Sequence, residues 1–185
     1  MGFFDSILGR TKGIKPKVDK LFSMSTAYVT LNTEFDLSST GKSGICFKPV
    51  ESADFTHVEN DIKELLKISG TRFEIVQDEF EYMWVIVMDE QFENLVSDIH
   101  VVSSTLVDAG YDEQILCAVF KFKNQKTVFW IYNYKQGEFY PFVPVDAKQR
   151  LRDYSYEFRL RSIMQQELPV EQELERWYPI WDVPF

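Results

Sequence analysis

The sequence predicts an α+β protein with one domain, built on an antiparallel sheet of about six strands with helices largely on one face. Two observations support this class. Apolar residues recur at helical spacing in segments that begin near residues 15, 54 and 91. Apolar runs of strand length follow each segment, and turn residues separate these runs. We therefore expect a repeated helix-strand-strand order that is closed by a C-terminal helix.

The first unit is predicted to begin with a helix from Lys15 or Pro16 to about Met24. Two strands are expected next, over 26–35 and 44–50. The residues between these strands are rich in Ser, Gly and Asp, which favour a turn. The unit therefore reads as one helix followed by a strand pair.

The second and third helices have the clearest predicted boundaries. Asp54 is the expected N-cap of the second helix and Gly70 its stop, and Asp89 and Gly110 have the same roles in the third. Apolar stripes at helical spacing support both helices: Phe55, Val58, Ile62, Leu65 and Leu66, then Phe92, Leu95, Val96, Ile99, Val102 and Leu106. We expect strands near 72–77 and 82–88 after the second helix, and a hairpin over 113–134 after the third.

The C-terminal third is less regular. Residues 136–145 contain Gly137, Pro141 and Pro144, so we expect no regular strand ladder there. A charged helix of about 20 residues is predicted to begin near Asp146 and to end at Pro169. The predicted organisation is an amphipathic N-terminal arm over 1–13 and a single domain over 14–185. The domain includes this helix and an aromatic tail over 177–185.

The N-terminal arm is the first candidate contact surface. Residues 1–20 carry a net charge of +3 in a chain whose total is −9. Its apolar residues fall on one face of a short helix, which can lie at a membrane interface or against a partner. Docking of the arm on the domain itself is the alternative. The candidate contact residues are Phe3, Phe4, Ile7, Leu8, Arg10 and Lys12.

The C-terminal helix and tail form the second candidate surface. Basic and aromatic residues alternate in the helix, and the segment from Lys148 to Arg161 also carries +3. The acidic charge of the whole chain argues against nucleic acid, so an acidic protein partner or self-pairing with the acidic body fits better. The alternative is that the arginines are solvated and the aromatic residues face the core. The candidate residues are Arg150, Arg152, Arg159, Arg161, Trp177 and Trp181.

No catalytic, metal or cofactor site is predicted. Thr40-Gly41-Lys42-Ser43 resembles the end of a phosphate-binding loop, but Asp36 replaces the required first glycine and a strand follows instead of a helix. His57 and His100 lack a second ligand at helical spacing. Cys46 and Cys117 lie in apolar runs typical of buried thiols in a reducing compartment.

The apolar runs are too short to span a bilayer, and the N-terminus does not resemble a signal peptide. We therefore expect a cytoplasmic protein. Peripheral attachment to the inner face of the cell membrane, with weak contact to anionic lipid, stays open.

Several segments are idiosyncratic enough to indicate a family. They are MGFFDSILGRTK, GICFKPVE, DIHVVSSTLVDAGY, YKQGEFYPFVP and LPVEQELERWYPIW, in this order. From Met1 to about Pro184 the chain resembles the phage-shock-protein-A-associated proteins of the PspAB type. The resemblance implies an accessory role beside a PspA-like, membrane-remodelling partner in the envelope-stress response, and it implies no catalytic residue.

Two functional hypotheses follow. The first is a non-catalytic adaptor of the phage-shock system that binds a PspA-like protein or another phage-shock component. The second is a peptide-binding or chaperone-like module, because helix-flanked antiparallel sheets of this size resemble type III secretion chaperones. Such modules usually form dimers and bind an extended segment in an aromatic groove. The oligomeric state is not predicted by the sequence.

Overall fold

The structure is a computed structural model that describes residues 17–185. Four helices lie in this range: α1 Ser23–Phe35, α2 Ala53–Ile68, α3 Phe92–Asp108 and α4 Tyr154–Met164. The strands are β1 Ser38–Phe47, β2 Arg72–Gln77, β3 Met83–Met88, β4 Ile115–Lys123, β5 Thr127–Asn133, β6 Glu138–Phe142, β7 Pro144–Asp146 and β8 Leu151–Arg152. The first six form an antiparallel sheet in the order β2-β3-β1-β4-β5-β6. The predicted α+β class with a six-stranded sheet is confirmed.

The first helical unit differs from the prediction. A 3-10 turn over Val18–Phe22 leads directly into α1, so the strand predicted over 26–35 is wrong. Ala27 and Leu31 are fully buried and lie four residues apart. A strand buries every second residue, whereas a helix buries residues at this wider spacing. The β-branched residues in this segment favoured a strand locally, but burial of the helical stripe against α3 decides the structure.

Strand β1 begins earlier than predicted. Ser38 and Ser39 pair with the end of β4, and the pairing resumes at Ser43 after an irregularity. The predicted turn is therefore the exposed first half of β1, while its second half from Ser43 to Phe47 is buried. The first unit contributes one strand instead of two.

The second and third helices follow the prediction closely. Gly70 and Gly110 end α2 and α3 with φ of +77° and +82°, a conformation that glycine adopts without steric cost. The N-caps differ. Ser52, not Asp54, accepts a hydrogen bond from Phe55 N–H at the start of α2. Asp89 lies before the first turn of α3 and accepts a hydrogen bond from the N–H of Gln91.

Strand β6 corrects the expectation that residues 136–145 form no ladder. Its residues pair in register with β5, and Pro141 lies opposite Trp130. A proline is tolerated there because β6 is the last strand of the sheet. The outer edge of β6 is closed by the segment after α4: Phe139 N–H donates to Pro169 O, and Phe139 O accepts from Glu171 N–H. This closure removes an open edge that would otherwise invite association.

The C-terminal helix is shorter than predicted. The small hairpin of β7 and β8 occupies residues 144–152, and α4 begins only at Tyr154. Asp153 caps it by accepting a hydrogen bond from Tyr156 N–H at 3.0 Å. The helix ends at Met164, five residues before Pro169. The predicted charged segment is therefore half hairpin and half helix.

The two faces of the sheet are covered by different parts of the chain. Phe120 and Phe122 of β4 contact Phe92 at the start of α3, with ring centroids 5.8 and 5.3 Å apart. Helix α3 lies over β1, β3 and β4, and α1 and α2 flank it. Residues of opposite parity face the tail, where Phe142 contacts Trp181 at 5.0 Å. The prediction that helices cover largely one face is confirmed.

Phe185 closes the tail against the centre of the sheet. A Cβ atom at Gly44 would lie 2.5 Å from Cε1 of Phe185, so the ring occupies the space that any side chain at this position would fill. Lys121 Nζ also donates to Phe185 O at 2.7 Å.

Cys46 and Cys117 face each other on β1 and β4, and both are buried free thiols, as predicted. Burial raises the pKa of the Cys46 thiol well above its ordinary value.

A buried ion pair ties the hairpin, α4, β6 and the tail together. Arg152 Nε donates to both carboxylate oxygens of Glu157, at 2.9 and 3.0 Å, and these side chains are only 5% and 0% exposed. The two terminal nitrogens of Arg152 donate to Trp177 O and Pro141 O. Glu157 also accepts a hydrogen bond from Val143 N–H at 2.7 Å. Burial raises the pKa of Glu157, and the hydrogen bonds from Arg152 act in the opposite direction.

The contact between Phe185 and Gly44 generates a first prediction. Gly44→Val will displace the Phe185 ring, because the valine side chain needs the same space. Trp84, which lies 6.3 Å from that ring and in register with Cys46, will then lose part of its cover. We expect a thiol reagent to modify Cys46 and Cys117 in the folded variant on the order of tenfold faster than in wild type, because loss of the ring makes local opening easier.

Lys42→Val is the matched control, since it places the same side chain on the exposed part of β1. Its thiols should react at the wild-type rate. Equal rates for Gly44→Val and wild type would contradict the placement of the tail on this face.

The buried ion pair generates a second prediction. Arg152→Leu will leave the Glu157 carboxylate buried without a counter-charge, and we expect a loss of about 3–5 kcal/mol in the free energy of unfolding. Urea unfolding followed by circular dichroism measures this change. The double variant Arg152→Leu/Glu157→Leu should recover part of the loss, because it removes both charges. Lys148→Leu, an exposed basic position on the hairpin, should change stability by less than about 0.5 kcal/mol. If Arg152→Leu changes the free energy of unfolding as little as Lys148→Leu does, the buried ion pair is not required for stability.

Candidate interaction surface

The start of α4 is held in place by electrostatic contacts to its first turn. Lys126 Nζ donates to the second carboxylate oxygen of Asp153 at 2.8 Å. The hydrogen bonds from Lys126 and from Tyr156 N–H lower the pKa of Asp153, because both stabilise the charged carboxylate. The adjacent β4–β5 turn helps as well, since Asn124 donates to Phe35 O and to Tyr156 Oη. The exposed face of α4 is therefore presented in a defined orientation.

Two large aromatic side chains are exposed on that face. Tyr154 and Phe158 are 57% and 42% exposed, and they lie one helical turn apart with stacked rings 6.4 Å between centroids. Phe158 also contacts Trp177 at 6.0 Å. Neighbouring exposed aromatic residues are uncommon on a protein surface that has no partner. We call this region, together with Arg159 and Arg161, the aromatic–arginine surface.

Arginines flank the aromatic pair on both sides. Arg161 lies over the ring of Trp177 at 5.9 Å and donates to Gln172 Oε1 at 2.6 Å. Arg159 lies over the ring of Phe35 at 5.5 Å on the side of α1. Arginine, tyrosine and tryptophan are the residue types that most often dominate binding energy at protein interfaces. The surface has the composition of a protein-binding site.

The structure separates the six C-terminal residues that the sequence grouped together. Arg150 is exposed at the β7–β8 turn, with φ +52°. Arg152 lies inside the protein in its ion pair, so it is not a surface residue. Trp177 is also buried, and its indole N–H donates to Glu171 O at 2.9 Å. Trp181 is half-buried in the tail on the second sheet face.

Sequence reasoning did not single out Tyr154 and Phe158 as exposed residues. Their spacing of four residues was a usable signal, because it places both side chains on one helical face. Which face is buried depends on α1, β6 and the tail, and these contacts are not encoded in the local pattern. The N-terminal candidates Phe3, Phe4, Ile7, Leu8, Arg10 and Lys12 lie outside the described residues.

One group of side chains has the composition of a hydrolase triad. Ser104 Oγ lies 3.3 Å from Nδ1 of His100, and Asp19 Oδ1 lies 3.4 Å from Nε2. These distances are long for catalytic hydrogen bonds, and the serine lies within helix α3 instead of on a strained turn. His100 also packs on Phe22, with ring centroids 4.6 Å apart. The contacts fit a histidine that joins α3 to the N-terminal 3-10 turn.

Two features are absent from residues 17–185, the part of the chain that the structure describes. No group of three or more His, Cys, Asp or Glu side chains in this range is arranged to hold a metal ion. No helix in the same range is long and apolar enough to cross a membrane.

Comparison with known proteins identifies one family. The family described as PspA associated protein B matches residues 1–185, the whole chain. No curated protein and no solved structure matches the chain. The match agrees with the resemblance carried by the segments from MGFFDSILGRTK to LPVEQELERWYPIW. The chain therefore belongs to the PspA associated protein B family.

Proposed function

We propose that the chain is a non-catalytic accessory protein of the phage-shock envelope-stress system, and that it binds a PspA-like, membrane-remodelling protein. Membership of a family named for association with PspA, over the full length of the chain, is the observation that carries this proposal. The adaptor works at the cytoplasmic side of the cell membrane. It contributes binding surfaces and no chemical step.

The aromatic–arginine surface is the proposed contact with this partner. Tyr154 and Phe158 provide exposed apolar area, and Arg159 and Arg161 provide charge on both sides of it. Arginines beside exposed aromatic rings fit an acidic and apolar segment of the partner, because they can form bidentate contacts with carboxylates. Arg150 and Lys148 at the neighbouring hairpin extend the positive charge. The peptide-binding alternative remains an untested prediction.

The N-terminal arm is proposed as a second, weaker contact. Its apolar residues and the basic residues that follow them suit the interface of an anionic membrane. One short amphipathic segment binds weakly alone. Simultaneous contact with a membrane-bound partner would raise the effective concentration at the lipid surface.

Capture of the partner tests the main contact. Tagged wild-type protein should recover the PspA-like protein from stressed cells, and Arg159→Glu/Arg161→Glu should reduce recovery at least about tenfold, because it reverses the charge of the surface. Lys67→Glu/Arg72→Glu makes the same change in charge at exposed positions on α2 and β2, so it controls for net charge. Equal recovery by wild type and the α4 variant would assign the contact elsewhere. If none of the three proteins recovers the PspA-like protein, that protein is not the partner.

Liposome co-sedimentation tests the arm. Wild type should bind vesicles that contain anionic lipid, and Phe3→Asp/Phe4→Asp should lose this binding in the absence of the partner, because charged residues replace the apolar contacts. With the PspA-like protein present, both should co-sediment through the partner. If the substitutions change nothing in either condition, the arm does not contact lipid.

A further inference from the structure

The groove between α2 and α3 is an exposed apolar surface with charged walls. It has a volume of about 520 Å³ and is lined by Val58, Asp61, Glu64, Leu65, Ile68, Thr105, Asp108 and Ala109. Ile68 is 83% exposed and Leu65 is 43% exposed. Large aliphatic side chains at this level of exposure, next to one another, mark a surface that binds another molecule. We call it the acidic groove.

The charge of the groove selects a basic occupant. Asp61 and Glu64 on α2 and Asp108 on α3 stand on its two walls. The part of the sequence that contains them, residues 51–113, holds 16 acidic and three basic residues, a net charge of −13. The rest of the chain is +4. An occupant must therefore combine an apolar stripe with cations on both sides of it.

The exposed face of α4 has this pattern. Tyr154 and Phe158 form the apolar stripe, and Arg161 and Arg159 lie on opposite sides of it. A helix that presents residues at spacing four to a groove between two helices uses the ordinary helix-in-groove mode of recognition. Aromatic side chains would cover Leu65 and Ile68, and the arginines would face the carboxylates on both walls.

We propose that α4 of one copy binds in the acidic groove of a second copy. The two surfaces lie on different parts of the molecule, so the contact is heterologous: in a pair, one copy keeps a free groove and the other keeps a free α4. Association then proceeds head to tail instead of stopping at a two-fold dimer. Only one face of α4, a helix of 11 residues, would enter the groove, so we expect a weak interaction that depends strongly on concentration and salt. The inference does not rest on the proposed function, because both surfaces belong to this chain.

Sedimentation velocity of the purified full-length protein, without any partner, tests the proposal. The weight-average mass should rise with protein concentration and fall with added salt. Ile68→Arg in the groove and Arg159→Glu/Arg161→Glu on α4 should each weaken association at least about tenfold, because each places like charges opposite one another or removes the apolar contact. All three altered side chains are at or near the surface, and circular dichroism will verify that the variants fold.

Mixing the variants gives the decisive result. The groove variant retains an intact α4, and the α4 variant retains an intact groove, so an equimolar mixture should form a 1:1 complex that grows no further. A single chain that carries both Asp61→Arg/Glu64→Arg and Arg159→Glu/Arg161→Glu should also regain association, since the charges of groove and helix are exchanged. Restoration in the mixture and in this combined variant would support a head-to-tail contact and no other.

Three results would overturn the proposal: a monomer at every concentration, association that neither variant weakens, or mixtures that stay monomeric. Association that appears only after residues 1–13 are removed would assign the groove to the N-terminal arm and would equally refute it. The outcome is separable from the proposed function. Ile68→Arg should still capture the PspA-like protein, so loss of self-association with retained capture concerns the groove alone.

Discussion

The guanidinium group of Arg152 connects four parts of the C-terminal third of the chain. It belongs to the β7–β8 hairpin, pairs with Glu157 of α4, and donates to carbonyls of β6 and of the tail at Trp177. A buried ion pair is not by itself a large source of stability, because desolvation offsets most of the attraction. Loss of either partner would leave the other charge buried without compensation, so the pair favours the arrangement in which these segments meet. The orientation of α4, and therefore of the aromatic–arginine surface, depends on this arrangement.

The tail has a matching role on the second face of the sheet. Most proteins of this size cover a sheet with helices or with a second sheet. Here a segment without regular structure covers one face with aromatic rings, among them Trp181 against Phe142 and Phe185 against Gly44. The absence of a side chain at Gly44 makes this close approach possible. The same C-terminal segment closes the edge of β6 through hydrogen bonds on both sides of Val170.

Charge is distributed unevenly along the chain, and this distribution determines which partners each surface can attract. The region over 51–113 is strongly acidic, and the N-terminal segment and α4 are basic. A distribution of this kind favours oriented association, because opposite potentials steer encounters and like potentials exclude wrong ones. The proposed partner contact and the proposed self-association both use α4, whereas the acidic groove serves the self-association alone.

The sequence determined the parts of the fold in which local pattern and tertiary packing agree. The glycine stops of α2 and α3, the central strands and the burial of Cys46 and Cys117 were predictable, because each depends on spacing within one segment. The apolar stripe of α3 is buried as expected, whereas Leu65 of the α2 stripe is 43% exposed. The resemblance to the family was also contained in the sequence, and the family match confirmed it.

Tertiary structure decided the segments whose local signals were ambiguous. Residues 26–35 form a helix because their stripe packs on α3, although β-branched residues favoured a strand. Pro141 is accommodated in β6 because β6 is the last strand of the sheet, and its position at the edge exists only once the sheet is assembled. Arg152 and Arg159 are alike in the sequence, yet one is buried and one is exposed. The difference arises because Glu157 and the carbonyl of Trp177 converge on Arg152 alone, and only the folded chain brings these groups together.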